Sequence, residues 1–213
     1  MATINEAPAG ARLDLQGARH ALSGDLEALE GALARAFSDD PLMGWIFQSK
    51  APDERDASIS RFMRFALEVG RPAGHTYTIG ANAGGAVWSP PDIDILGDEA
   101  IAAFFELLGE EIGADAERVG GGLMQLTEQH PHEPHFYLFV LGTDAAFQSQ
   151  GLGGRLIREV LDRCDRQGLP AYLESSNIRN VPFYERHGFR VQKEIDVGDG
   201  CLVRTMWRDP QRG

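Results

Sequence analysis

The segment of the sequence best suited to bind an anion is a glycine-rich turn that spans Gln148–Gly154. It lies between a run of apolar residues and the start of an amphipathic helix, where backbone N–H groups have no helical carbonyl to bind. Glycines let a ligand approach the backbone closely, and the positive end of the helix dipole favours a negative charge. The turn therefore predicts a phosphate or pyrophosphate site, and a glycine turn without a ligand is the alternative.

Two common nucleotide-binding patterns are incomplete in this turn. A P-loop requires lysine and then serine or threonine after its last glycine, whereas Arg155 follows Gly154 here. A dinucleotide fingerprint requires a third glycine at the position of Leu156, although Glu174 does lie about 20 residues further on, where that fingerprint has an acidic residue. The sequence around the turn therefore disfavours both nucleotide-binding folds.

A segment rich in histidine precedes the apolar run, and its residue types invite a metal interpretation. His130, His132, Glu133 and His135 are all possible zinc ligands. Pro134 separates His132 from His135, however, and the helical pattern H-E-x-x-H is absent from the sequence. We therefore expect no metal here, and interpret Glu133 and His135 as part of a loop that borders a substrate site.

The glycine-rich turn needs a strand before it and a helix after it, and the sequence supplies both. Residues 136–141 are apolar throughout and too few for a helix, so they predict a strand at the centre of a sheet, buried on both faces. Apolar residues at helical spacing follow the turn as far as Gly168, and residues 171–174 predict the next strand. This order predicts a βαβ unit.

The remaining elements follow from the same periodicities. Helical spacing of apolar residues predicts helices near residues 26–37, 52–67, 98–108 and 181–186, with a weaker one around 123–126. Short strands are predicted near residues 13–15, 75–79, 86–88, 189–197 and 202–207. Because helices and a hairpin come before the central strand, the architecture is mixed rather than a doubly wound nucleotide fold.

The composition limits the partners and the setting of the protein. A chain of 213 residues with 43% hydrophobic and 24% charged residues fits one globular domain. A formal net charge of −12 disfavours nucleic acid as a partner, because phosphate binding relies on clustered lysine and arginine. Cys164 and Cys201 lack metal-binding spacing, which favours a reduced, cytoplasmic setting. No apolar stretch predicts a signal peptide or a membrane span.

Two segments of the chain resemble one known family. The pattern Gln-x-x-Gly-x-Gly at Gln148, Gly151 and Gly153 resembles the coenzyme A pyrophosphate loop of the GNAT acetyltransferases. Residues 173–177 and 180–189 resemble strand five, helix four and the following Gly-Phe of that family. Residues 86–88, 133–134 and 168–174 are most similar to the puromycin N-acetyltransferase-like members. Together the two segments make the resemblance specific to the family.

The resemblance implies a fold as well as a ligand. It implies a single GNAT domain over residues 1–213, of mixed α/β (α+β) class, with a mostly antiparallel central sheet of about six or seven strands flanked by helices. Strands four and five of such a sheet splay apart. The acetyl-CoA-binding core would then cover about residues 133–197.

The same resemblance implies acetyl-CoA as the co-substrate and places it along the middle strand. The pantetheine amides would pair with the end of this strand like an added strand, and a backbone N–H between Val140 and Thr143 would meet the oxyanion. A Gly142 that merely ends the strand is the alternative. The implied contact residues are Leu141, Gly142, Thr143, Gln148, Ser149, Gln150, Gly151, Leu152, Gly153, Gly154, Asn177, Asn180, Phe183 and Tyr184.

Proton transfer residues are also implied by the family pattern. Tyr184 falls at the position of the acid that protonates the departing thiolate, and a phenol with an ordinary pKa of about 10 keeps its proton at neutral pH. Packing beside Phe183 is the alternative for this residue. Glu174 is the first candidate for the base that accepts a proton from the amine, followed by Glu133 and His135. A strand-end residue that only forms hydrogen bonds is the alternative for Glu174.

The function that we expect from the sequence is acetyl transfer from acetyl-CoA to an amine of a small molecule. Trp88, Glu133 and His135 are the candidate residues of the acceptor site, and core packing is the alternative for Trp88. A non-catalytic acyl-CoA sensor and a protein or peptide N-acetyltransferase are the alternative functions. A monomer or a homodimer is expected, without nucleic acid or membrane partners.

Overall fold

The computed structural model describes residues 17–211. The strands are β1 (Arg19–His20), β2 (Thr76–Ile79), β3 (Gly84–Ser89), β4 (Phe136–Thr143), β5 (Ala171–Ser175), β6 (Arg190–Asp196) and β7 (Leu202–Arg208). The helices are α1 (Leu26–Ala36), α2 (Pro41–Ile46), α3 (Pro52–Gly70), α4 (Asp98–Ile112), α5 (Ala116–Thr127), α6 (Leu152–Gln167) and α7 (Val181–Arg186). The predicted strand at residues 13–15 lies outside the described residues.

The strands form one mixed sheet in the order β1-β2-β3-β4-β5-β7-β6. Every neighbouring pair is antiparallel except β4 and β5, which are parallel. The predicted mixed α/β class and the mostly antiparallel sheet are therefore confirmed. The apolar run predicted as the central strand is β4, which lies in the middle of the order.

Helices cover both faces of this sheet. Because β4 is buried on both faces, its sequence is almost continuously apolar. On one face, α6 packs with Leu156 and Ile157 against a buried cluster that includes Leu138. On the other face, α1, α3, α4 and α5 enclose the larger buried cluster, to which Val140 belongs. Leu138 and Val140, on either side of the unpaired Phe139, thus contribute to two separate cores.

Local sequence signals explain where several helices begin and end. Proline at the first position and two acidic residues in the first turn begin α3 at Pro52, as predicted. Gly168 ends α6 in the left-handed conformation with φ of 66°. Gly142 lets α1 approach β4 closely, because a Cβ at this position would lie 2.8 Å from a methyl carbon of Leu33. Within residues 17–211, none of the helices combines the length and the apolar character that a bilayer span requires.

Candidate active site

The glycine-rich turn lies between β4 and α6, as the sequence predicts, and its residues Gln148 to Gly151 are exposed. Ser149 and Gly151 both adopt positive φ, of 63° and 78°, so the chain reverses just before the first turn of α6. The amide of Gln148 donates to the carbonyl oxygen of Thr143 over 3.3 Å, which ties the turn to the end of β4. This arrangement presents the first N–H groups of α6 to solvent in the manner of an anion-binding site.

Three elements meet where α6 begins. A Cβ added to Gly153 would lie 3.5 Å from the ring of Phe183 on α7 and 3.7 Å from Oγ1 of Thr143 on β4. A Cβ added to Gly154 would lie 3.5 Å from Nε2 of His187. The structure therefore brings together three groups of residues named by sequence reasoning, those at the end of β4, in the glycine-rich turn and on α7.

The pairing between β4 and β5 stops halfway along β4. The parallel register runs from Phe136 opposite Ala171 to Leu138 opposite Leu173, whereas β4 continues to Thr143 beside β3 alone. A bulge also interrupts the β3 pairing at this point, with Phe139 as the unmatched residue between Leu138 and Val140. Residues 139–143 consequently present one backbone edge to the gap, where an extended ligand can add as a strand.

Tyr184 lies on the α6 face of the sheet and is 8% exposed. Its ring contacts those of Phe183 and Phe189 at centroid distances of 5.2 and 6.0 Å. Within residues 17–211 its hydroxyl has no hydrogen-bond partner. Burial, together with the negative charge of Asp40, raises the pKa of Tyr184 above that of an ordinary phenol. The hydroxyl is thus a protonated group that is free to bind a ligand.

Glu174 is the first residue of β5 beyond the last pair with β4. Its carboxylate accepts hydrogen bonds from the hydroxyls of Tyr137, at 2.7 Å, and Tyr172, at 2.9 Å. Burial first, and then the charge of Glu174, raises the pKa of both tyrosines, so both remain hydrogen-bond donors. The carboxylate is therefore held in one orientation at the point where the two strands separate.

Asp40, directly before α2, belongs to the same region through its contact with the segment after β5. One carboxylate oxygen caps α2 by accepting the N–H groups of Leu42 and Met43, and the other accepts the hydroxyl of Ser176 over 2.6 Å. Burial raises the pKa of Asp40. A single Asp-Asp-Pro pattern ends one helix and begins the next, so the sequence alone did not indicate the contact with Ser176, which lies far along the chain.

A groove of about 530 Å³ opens beside Asp40 and Ser176. Trp45 forms one wall, and its indole N–H donates to Asp199 over 3.3 Å. The lining residues come from α2, from the segment after β5 and from the hairpin between β6 and β7: Pro41, Gly44, Trp45, Gln48, Ser176, Asn177, Ile178, Arg179, Asp199, Gly200, Cys201, Leu202 and Arg204. A groove of this size can hold a small molecule.

None of the three residues predicted for the acceptor site, Trp88, Glu133 and His135, is among the residues that line this groove. Trp88 is fully buried on β3 in the core cluster beneath α6, so the structure places it in packing rather than in the groove. Glu133 lines a separate cavity of about 230 Å³ with Tyr172 and Trp207. His135 is buried beside these aromatic rings. Aromatic residue type alone does not distinguish a pocket wall from the core, whereas Trp45 does line the groove.

The predicted coenzyme residues of the segment after β5 have mixed positions. Asn177 lines the groove, and its side chain accepts the N–H of Arg179 over 3.1 Å as a local cap. Asn180 is exposed directly before α7. Phe183 lies between the glycine-rich turn and His187, with a ring-centroid distance of 4.6 Å to His187. Phe183 therefore lies on the side of the turn, and Asn177 lies on the side of the groove.

Comparisons with known proteins agree with this geometry. The model of the Acetyltransferase (GNAT) family matches residues 88–189. An uncharacterized N-acetyltransferase of Schizosaccharomyces pombe is 24% identical over 201 residues, which cover 88% of this chain and 81% of the relative.

Solved structures of acetyltransferases share the fold. A structure of histone acetyltransferase HPA2 and related acetyltransferase from Corynebacterium glutamicum superposes with a TM-score of 0.69 and 22% identity, over 93% of this chain and 98% of the other. The polyamine N-acetyltransferase of Drosophila melanogaster, which forms N-acetylagmatine, superposes with a TM-score of 0.62 and 19% identity. The superposition covers 90% of this chain and 98% of the other. The matched region contains β4, the glycine-rich turn, β5 and α7, and the sheet splayed between β4 and β5 is the fold of these acetyltransferases.

Proposed function

Starting from the GNAT acetyltransferase family, whose model this chain matches and whose fold it has, we propose that the protein transfers an acetyl group from acetyl-CoA to an amine of a small molecule. The observation that carries this proposal is the meeting of the exposed glycine-rich turn, the end of β4 beyond its pairing with β5, and α7, which carries Tyr184 beside Phe183. Acetyl-CoA supplies the activated thioester that such a site requires.

The residues present fit this co-substrate. The N–H groups from Gln148 to Gly154 would hold the diphosphate, since Gly153 leaves room that a side chain would narrow between Phe183 and Thr143. Leu141, Gly142 and Thr143 would offer backbone groups to the pantetheine amides. A backbone N–H at the end of β4 would stabilise the developing oxyanion.

In this proposal one side chain donates a proton during the reaction and another accepts one. Tyr184 donates its proton to the departing thiolate, and Glu174 accepts the proton that the ammonium must lose before it attacks. Asp40 is the competing base, because it lies beside the groove and acts electrostatically on Tyr184. Glu174 is preferred since Asp40 already accepts three hydrogen bonds that hold α2 and Ser176 in place.

The acceptor is proposed to be a primary or secondary amine of a small molecule. One relative by fold acts on agmatine according to its name, and a groove with a carboxylate at Asp199 and a tryptophan wall at Trp45 suits a cationic or aromatic amine. The proposed likeness to puromycin N-acetyltransferase-like members makes puromycin itself one of the amines to test.

A thiol-release assay with acetyl-CoA tests this function. The panel contains agmatine, a longer polyamine, an arylalkylamine, puromycin and a peptide with a free N-terminus, with Tyr184→Phe as the matched variant. We expect turnover with at least one small amine and its loss in the variant. Turnover of the peptide alone would identify a protein acetyltransferase instead, and coenzyme A binding without turnover of any amine would identify a sensor.

A further inference from the structure

His130, whose ring is paired with that of His135, lies beside Glu174. Nδ1 of His135 lies 2.6 Å from the carbonyl oxygen of Glu133, and its Nε2 lies 3.2 Å from Nε2 of His130. Nδ1 of His130 lies 3.8 Å from a carboxylate oxygen of Glu174. A continuous chain of polar groups therefore leads from Glu174 through His130 to His135.

The hydrogen bonds define which nitrogen carries the proton on each ring. A carbonyl oxygen can only accept, so Nδ1 of His135 carries its proton, and burial lowers the pKa of His135 and keeps the ring neutral. Its Nε2 is then an acceptor, and Nε2–H of His130 donates to it. This leaves Nδ1 of His130, which lies 3.8 Å from a carboxylate oxygen of Glu174, without a proton.

The side chain of His130 is more accessible to solvent than that of Glu174. The side chain of His130 is 33% exposed, whereas that of Glu174 is 14% exposed and holds two tyrosine hydroxyls. The rings of Tyr137 and Tyr172 pack edge-on against His130 at 4.8 and 4.9 Å, which fixes its orientation. His130 thus connects a sheltered carboxylate with bulk water.

We propose that His130 carries the proton released by acetyl transfer from Glu174 to solvent, and that His135 holds His130 in the tautomer that can accept it. This inference rests on the proposed function. An ammonium and a thioester give an amide, a thiol and one net proton. Glu174 accepts that proton from the ammonium, His130 Nδ1 takes it and restores the carboxylate, and the imidazolium loses a proton to water.

The surrounding charges favour each step. The carboxylate of Glu174 stabilises the imidazolium of His130 as it forms. Tyr137 and Tyr172 stay protonated, because burial and Glu174 raise their pKa values. Glu133 faces His135 from the preceding loop, and Lys193 on β6 donates to Gln129 next to His130.

The first test compares His130→Ala with His132→Ala, an exposed histidine two residues away. With acetyl-CoA and an accepted amine, we expect His130→Ala to lower kcat by on the order of tenfold, less than the ~10²–10⁴-fold typical of direct acid–base groups because water can replace the ring in part. The KM for acetyl-CoA should not change, imidazole in the buffer should restore kcat, and His132→Ala should match the unaltered chain. Equal kcat in both variants overturns the inference.

Two further measurements separate positioning from loss of fold. His135→Gln retains an acceptor for His130 Nε2–H and should keep more activity than His135→Ala, while thermal unfolding of each variant checks the fold. Nitrogen-15 NMR of the unaltered chain should show His130 protonated on Nε2 near neutral pH, and protonation on Nδ1 overturns the inference without any assay of turnover. No turnover by the unaltered chain overturns the proposed function and this inference together, whereas turnover that survives His130→Ala unchanged overturns the inference alone.

Discussion

The substitution Tyr184→Phe removes only the hydroxyl oxygen, so it distinguishes a catalytic role of Tyr184 from a packing role. The hydroxyl has no hydrogen-bond partner within residues 17–211, and the ring packs against Phe183 and Phe189. Tyr184→Phe keeps these ring contacts and breaks no hydrogen bond among them. The free energy of unfolding should therefore change by less than about 0.5 kcal/mol.

The effect of Tyr184→Phe on turnover should be much larger than its effect on stability. A general acid contributes roughly 10²–10⁴-fold to the rate, which is about 3–5 kcal/mol of activation free energy at 1.36 kcal/mol per tenfold. Burial and Asp40 raise the pKa of this phenol, so the proton stays on the oxygen. The unaltered chain should accordingly show no loss of kcat from ionisation of Tyr184 up to an ordinary phenol pKa of about 10.

Tyr77→Phe is the matched control for this experiment. Tyr77 is a buried tyrosine of β2 whose hydroxyl lies 3.1 Å from Nδ1 of His75. Loss of this hydrogen bond should lower the free energy of unfolding by about 1 kcal/mol and leave kcat unchanged. Urea unfolding, a thiol-release assay and coenzyme A titration calorimetry measure the three quantities. A kcat of Tyr184→Phe within threefold of the unaltered chain would refute the acid role.

Three other substitutions test separate parts of the argument. Gly151→Ala places a side chain at φ of 78° and should lower the free energy of unfolding by about 1–2 kcal/mol. It should also weaken coenzyme A binding, as measured by calorimetry. Gly151→Asn should have a smaller effect on both stability and binding, because asparagine tolerates the left-handed region better. Arg208→Met removes two hydrogen bonds to Asp165 and one to a backbone carbonyl and should cost about 2–4 kcal/mol in urea unfolding. Because Arg208 lowers the pKa of Asp165, this loss should shrink as the pH falls through that lowered pKa. Since burial raises the pKa of Asp40, Asp40→Asn should gain stability relative to the unaltered chain as the pH rises from 4 to 7.5.

The elements around the glycine-rich turn could be predicted because their signals are local. An apolar run of strand length predicted β4 in the centre of the sheet, and Gly168 predicted the end of α6. The helix α2 was not predicted, because its six residues are too few to show a helical period. The two-residue strand β1 is likewise too short to leave a pattern.

The groove that we propose as the acceptor site could not be predicted from local patterns. Asp40 and Ser176 lie far apart in the sequence and meet only when α2 packs beside the end of β5. Trp88 and Trp45 are the same residue type, yet one is fully buried in the core and the other lines the groove. Burial is a property of the assembled sheet and helices, so residue type gave no means to choose between these two tryptophans.

The alternation of side chains along β5 explains how one sheet keeps Tyr184 and Glu174, the proposed proton donor and acceptor, apart. Leu173 points towards the α6 face, where Tyr184 also packs, and Glu174 therefore points to the opposite face. A shift of the register by one residue would send Glu174 into the apolar cluster under α6 and would leave its charge without the hydroxyls of Tyr137 and Tyr172. The cost of such a buried charge disfavours the shifted register, and the observed register places Tyr184 and Glu174, the proposed acid and base, on opposite faces of the sheet.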